Sequence, residues 1–402
     1  MITIKAFKAL RPKEEWVREV AALPYDVMTV EEARKMTKEH PYSFLNIDKP
    51  EIHVAPHGDA PYIYARKKLD ELIENNIFIE ENNCMYLYEL ETPHNHQYGL
   101  ACIVSTEDYE ENRIKKHENT RTDKEEDRIS HIQYCEAHTG PIFLVENEWE
   151  EFGNFLCQYA ESHAPLYDFK LEDHVTHRLY AISDPETLTY LIEAFKDINA
   201  LYIADGHHRA AAAAKVSRMV GDIKPEAQHF LSVIFPKEQL RILPYHRIIK
   251  DESGYTKDKL FKELSDFFEI SNVGTSVYLP SKMHQFGMRY QKCWYKLEFK
   301  SELLQDKSIA DSLDVAILQN FVLDPIFNIH DPKQDTRIDF IPGGEQIEVL
   351  NERTEAEMDI AFSLFPTSIE SLIAVAKAGE LMPPKSTWFE PKLRSGLLIH
   401  RF

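Results

Sequence analysis

The chain has 402 residues, 43% of them apolar and 28% charged, and a formal net charge of −21. At roughly 100–200 residues per domain this length implies two or three domains, with enough apolar residues for ordinary globular cores. The acidic balance has the wrong sign for a partner whose phosphates must be neutralised, which argues against DNA or RNA as the main ligand. No apolar run reaches the ~18 residues of a membrane span, and Met1-Ile2-Thr3-Ile4-Lys5-Ala6 lacks the apolar stretch of a signal peptide, so a cytoplasmic protein without membrane contact is expected.

In chain order, a strand is expected over Ile2–Phe7, followed by Pro24-Tyr25-Asp26-Val27. Thr29 and Glu32 form a capping box for a helix through Lys38. A second helix starts near Pro61, with Tyr62, Ala65, Leu69, Leu72 and Ile73 on one stripe. Strands over Met85–Leu90 and Tyr98–Ser105 flank Pro93-His94-Asn95-His96, a hairpin loop whose two histidines fit an exposed turn better than a metal site. The run from Arg113 to Arg128 is densely charged. Pro185 opens a helix after Ser183-Asp184. The short strand Ala200–Ala204 leads into Asp205-Gly206-His207-His208-Arg209 and a helix over Ala210–Met219, and strands follow at Phe230–Phe235 and Arg241–Pro244. Further on come a helix bearing Leu260, Phe261, Leu264, Phe267 and Phe268, strands at Met288–Tyr290 and Trp294–Phe299, and a helix near Leu313–Asn320. Two more helices precede an irregular tail over Met382–Arg394. Helices and strands alternate without a strict βαβ rhythm, which points to an α+β or mixed α/β fold. The expected parts are 1–106, 107–250 and 251–402. Cys84, Cys102, Cys135, Cys157 and Cys293 are odd in number and widely spaced, and are read as buried inert thiols rather than disulfides or zinc ligands.

Chemistry concentrates first in Asp205-Gly206-His207-His208-Arg209. An apolar strand hands over to a helix there, and unpaired N–H groups with the helix dipole attract anions. Gly206 permits an unusual backbone angle, and His207, His208 and Arg209 supply donors, Arg209 in a fork suited to phosphate. The bland alternative is a polar turn in which Asp205 caps the helix. The run Ala210–Ala214 keeps that helix slim. The second constellation is Lys115-Lys116-His117-Glu118-Asn119-Thr120-Arg121. It reads either as a solvated charged segment or as a carboxylate base beside phosphate-holding cations. The third is Lys385-Ser386-Thr387 in the tail, a lid over a site or a surface strand. Asp26 and Asp48 are candidate magnesium partners. No GxxxxGK[ST], GxGxxG or HExxH occurs.

Together Pro24-Tyr25-Asp26-Val27, Lys116-His117-Glu118, Thr120-Arg121, Lys124-Glu125-Glu126-Asp127-Arg128, Thr139-Gly140-Pro141, Asp205-Gly206-His207-His208-Arg209 and Pro384-Lys385-Ser386-Thr387 resemble a family known as a domain of unknown function. Its central part is similar to the ParB/sulfiredoxin-like core of free serine kinases. The resemblance implies such a core over 107–250, with N- and C-terminal additions. It also implies serine kinase activity with pyrophosphate as donor, Glu118 as general base and His207 as its catalytic partner. Lys116, His117, Thr120, Arg121, Asp205, Gly206, His208, Arg209, Lys385, Ser386 and Thr387 would hold phosphate, and Asp205 or Asp26 would hold Mg2+. An ADP- or ATP-dependent kinase, a phosphoserine phosphatase and a ParB-like nucleotide- or DNA-binding switch are the alternatives, the last opposed by the acidic charge.

Overall fold

The hairpin expected around Pro93–His96 is the seed of the larger sheet. Strands Phe78–Glu91 and His96–Ser105 pair antiparallel, with Tyr86 opposite Ala101 and Glu91 opposite His96. The computed structural model describes residues 1–344 and 347–402 and divides into two units. The first comprises Met1–Lys116, Thr120–Leu240 and Pro391–Phe402; the second comprises His117–Asn119 and Arg241–Glu390. The fold is mixed α/β in both.

Unit 1 is built on a sheet of twelve strands. Its main path runs Ile114–Lys115, Leu201–Asp205, Ile142–Glu146, His229–Pro236, His96–Ser105, Phe78–Glu91, Phe7–Pro12, Ile399–Arg401 and Ala137–His138. Pairing is antiparallel except at two joints, Leu201–Asp205 with Ile114–Lys115 and His229–Pro236 with Ile142–Glu146. Residues expected in the first two sequence parts therefore share one sheet, and the strand Tyr245–Ile249 lies in the other unit. Leu100, Cys102, Ile142, Leu144, Ile203 and Ile234 meet Phe152, Leu156, Leu191 and Phe195 from two helices in the main core. A second core joins Ala65, Leu69 and Leu72 of the helix Ala60–Glu74 to Phe44, Leu45, Phe78 and Ile399. The Thr29–Glu32 capping box is present, closing the start of the helix Val30–Glu39. Asp184 accepts from Thr187 N at 2.7 Å and caps the helix Pro185–Lys196.

Unit 2 holds a six-stranded antiparallel sheet in the order Phe268–Gly274, Cys293–Phe299, Gln285–Tyr290, Ile360–Leu364, Tyr245–Ile249 and Ile338–Pro342. Phe267 and Phe268, read as the end of a helical stripe, lie beyond the helix Lys257–Ser265, and Phe268 instead opens a strand. Trp294 is fully buried and donates to Asn351 Oδ1 at 2.9 Å. Part of the tail read as irregular is a strand, Trp388–Glu390, paired with Arg241–Leu243. Cys84, Cys102 and Cys135 are buried free thiols as expected, whereas Cys157 and Cys293 are half-buried. Among the described residues no helix is long and apolar enough to cross a membrane.

Unit 1 buries six histidines, His131, His138, His177, His207, His229 and His400. Burial disfavours the imidazolium, so His138 and His177 are held well below the usual 6.5, and His229 is pushed down to about 4 by burial, then by Lys5 and His400. Below pH 6.5 the unfolded chain takes up protons that the native one refuses, so stability falls as pH falls. Between pH 6.5 and 5 the loss is about 2 kcal/mol for His229 alone. Asp314, whose carboxyl burial pushes up to about 7, takes up its proton in the native state across the same window and acts in the opposite sense. Urea unfolding of an Asp314→Asn variant across that window is therefore expected to show a falling midpoint; a flat profile there would refute the neutral-histidine assignment.

Candidate functional site

The Asp205 turn stands where expected, between the strand Leu201–Asp205 and the helix His207–Val220. Gly206 adopts φ 99°, and a Cβ there would sit 3.1 Å from the Arg209 guanidinium. Left-handed backbone and close approach together require glycine at this point. The helix start is Gly206, with no side-chain cap, so Asp205 is not the capping residue of the bland alternative. All five alanines from Ala210 to Ala214 are buried. Ala210, Ala211, Ala213 and Ala214 face the main core, while Ala212 packs with Ile132 of the helix Thr122–Cys135. Small side chains let this helix lie between a sheet and a second helix.

Asp205 does not face outward to an anion but organises cations. Lys392 Nζ donates to its Oδ2 at 3.2 Å, and Arg209 Nη2 lies 3.8 Å from the same oxygen. Burial alone would push the carboxyl above its usual range, yet Lys392 and then Arg209 hold it far below that range. Arg209 also donates to the Pro141 carbonyl. One acid thus fixes two cations beside the helix start, and in the sequence Lys392 is only one residue of the irregular tail.

The charged run is not a solvated face throughout. In the helix Thr122–Cys135, Glu125, Arg128 and His131 are buried. Thr120 Oγ1 donates to Glu125 Oε2 at 2.9 Å, and Lys215 pairs with the other oxygen of Glu125. The Arg121 backbone N–H donates to His208 Nε2 at 3.0 Å, tying this segment to the glycine turn. That bond fixes the unprotonated nitrogen of His208. His207 is buried and His208 half-buried. The Arg121 guanidinium is engaged with Asp123, and the Lys116 ammonium lies 4.6 Å from the Tyr109 ring centroid.

A polar cavity of about 20 Å3 in unit 1 is lined by Tyr25, Asp48, Arg128, His131, His138, Thr139, Gly140, Arg209 and Ser395, among others. Arg128 is held there from several directions. It donates to Asp127 at 2.9 Å and to the Asp48 carbonyl at 3.4 Å, and its guanidinium stacks over Tyr25 at 4.0 Å. Thr139 Oγ1 donates to Asp48 Oδ1 at 2.7 Å. This volume accommodates a water-sized occupant. Asp48 was a weak signal in the sequence and Arg128 no site residue at all. The run Thr139-Gly140-Pro141 carried the detectable hint, since a glycine there leaves room for Arg209 at 3.4 Å.

In unit 2, His117 is buried and its carbonyl accepts from Met382 N at 2.8 Å, while Glu118 is half-buried. Lys385 is exposed with φ 57°, its ammonium 5.2 Å from the Tyr245 ring centroid. Ser386 Oγ is spent on the Pro383 carbonyl at 2.6 Å, and Thr387 is half-buried. As magnesium ligands the two expected aspartates do not fit: Asp205 is committed to Lys392 and Arg209, and Asp26 is a single exposed carboxylate. No step is assigned to a metal on these residues.

Residues 4–316 match the family model described as "Protein of unknown function (DUF1015)". No curated protein matches the chain in sequence. Among solved structures, a free serine kinase variant in complex with ADP is 14% identical, with a TM-score of 0.39, over 74% of this chain and 92% of that one. SbnI with a C-terminal truncation, from Staphylococcus aureus, is 11% identical with a TM-score of 0.39, over 75% and 87%. A conserved hypothetical protein from Pyrococcus furiosus is 15% identical with a TM-score of 0.34, over 74% and 95%. The family match spans well over half of the sequence, and the chain belongs to the DUF1015 family.

Proposed function

We propose that this protein is a small-molecule phosphotransferase that moves a phosphoryl group from pyrophosphate to the hydroxyl of free L-serine. The serine oxygen forms the new P–O bond, the bridging P–O bond of pyrophosphate breaks, and orthophosphate leaves with the electron pair. Such transfer needs alignment and charge neutralisation more than covalent participation by the protein.

The observation that carries this reading is the bond from Arg121 N–H to His208 Nε2. It ties Thr120-Arg121, which directly follow Glu118-Asn119 in the sequence, to a glycine turn with Arg209 and Lys392 fixed beside a helix start. A carboxylate base, a helix N-terminus and held cations are the parts that phosphoryl transfer uses. Glu118 takes the serine hydroxyl proton in this scheme. The Gly206 turn, with His207, His208 and Arg209, meets the donor's charge.

Phosphorus NMR of the full chain with Mg2+, L-serine and pyrophosphate is expected to show O-phospho-L-serine and orthophosphate growing together. Parallel samples with ADP or ATP identify a nucleotide donor if only those react. Phosphate release from O-phospho-L-serine alone would reassign the protein as a phosphatase. No phosphoserine from any of the three donors overturns the kinase reading.

A further inference from the structure

Five arginines are buried in this protein: Arg11, Arg128, Arg247, Arg289 and Arg394. Four of them have a carboxylate partner, namely Glu81 for Arg11, Asp127 for Arg128, Glu355 for Arg289 and Asp173 for Arg394. Arg247 has none among the described residues. It sits at the middle of the strand Tyr245–Ile249, opposite Phe340 on one neighbouring strand and Phe362 on the other, and is 3% exposed. Its partners are the carbonyls of Tyr245 and Lys385, the latter at 3.1 Å, and the Phe340 ring at 5.3 Å. Burial without a counter-charge pushes this guanidinium down to about 9.

Removing a charge from water costs several kcal/mol, and natural interiors repay it with an opposite charge. Carbonyl dipoles and a ring face repay only part. The second cation of the region is Lys385, whose own carbonyl is held by Arg247. Its backbone is left-handed, φ 57°, a conformation that is strained for a non-glycine residue. Two bonds hold the loop in that shape, from Ser386 Oγ to the Pro383 carbonyl at 2.6 Å and from Thr367 Oγ1 to the Ser386 carbonyl at 3.4 Å. Strain and an uncompensated charge thus meet at one loop of unit 2, and both favour a site completed by a ligand.

We propose that Arg247 and Lys385 form an anion site in unit 2 that takes a phosphate-class ligand, the anion supplying the counter-charge that no described residue provides. As a subsite for the phosphoryl donor it rests on the phosphotransferase reading; as an anion site it stands without it. The forked guanidinium and the neighbouring ammonium suit a polyvalent oxyanion better than a monovalent one.

The test is calorimetric titration of the full chain with pyrophosphate, with orthophosphate as a second probe, joined to thermal melting with and without each anion. Arg247→Met is expected to weaken pyrophosphate binding at least tenfold. It should also melt no lower than the wild type without anion, because an apolar side chain replaces an unpaired charge, and should lose the anion-induced rise in Tm. Lys385→Gln is expected to bind several-fold more weakly with an unchanged Tm. A merely structural Arg247 gives the opposite pattern: a lower Tm for Arg247→Met and undiminished pyrophosphate binding. If Arg247→Met does not fold, wild-type affinity in Lys385→Gln overturns the site. Failure of the kinase reading is separate, since it removes phosphoserine formation and leaves these anion-linked differences in place.

Discussion

Glu118→Gln is expected to lower phosphoserine formation by about 10²–10⁴-fold, the range for loss of a positioned general base. The substitution keeps size and hydrogen-bonding reach and removes the ability to accept a proton. Glu118 is half-buried, so the amide needs little repacking and Tm should hold within a degree or two of the wild type. Rate and stability therefore separate. Turnover in the NMR assay and a melting curve on the same sample measure both. Full activity in Glu118→Gln means that another group takes the proton, even if the reaction is right. A parallel fall in Tm would mean that the carboxylate holds structure instead.

The second large effect is on stability. Arg128→Ala removes a guanidinium that bridges Asp127, the Asp48 carbonyl and the Tyr25 ring. Truncating one partner of a buried pair costs about 3–5 kcal/mol. Asp127 keeps 37% of its side-chain exposure and can rehydrate, which places the expected loss at the lower end, about 3 kcal/mol. Arg128→Lys keeps the charge but not the flat fork that stacks on Tyr25, and should fall between the two. Urea unfolding followed by circular dichroism measures the series. A loss under about 1 kcal/mol for Arg128→Ala would show that the cavity wall does not depend on this side chain.

Local signals in the sequence read well where the physics is local. The Thr29–Glu32 box, the helix start at Pro185, the hairpin before His96 and the glycine turn at Gly206 each depend on residues a few positions apart, and each is present. What the sequence hid is set by distant partners. Lys392 gains its meaning from Asp205, and Arg128 from Tyr25 and Asp48. A buried arginine such as Arg247 looks in sequence like any charged residue beside apolar neighbours, because its burial comes from strands on both sides. The charged run up to Arg128 misled for the same reason: two of its helix residues turn inward, Glu125 to Lys215 and Arg128 to Tyr25 and Asp48.

The strand Ile399–Arg401 lies inside the path of the large sheet, between Phe7–Pro12 and Ala137–His138. Everything from Arg241 to Glu390 belongs to the other unit and is synthesised before it. On the ribosome, the first unit must wait with an open sheet while the second is made, although domains ordinarily fold in order of emergence at about 5–20 residues per second. Phe7–Pro12 and Ala137–His138 then leave unpaired backbone facing solvent during that interval. Chaperone dependence should concentrate in this stage of synthesis, and a stall within Arg241–Glu390 should release chains prone to pair edge to edge.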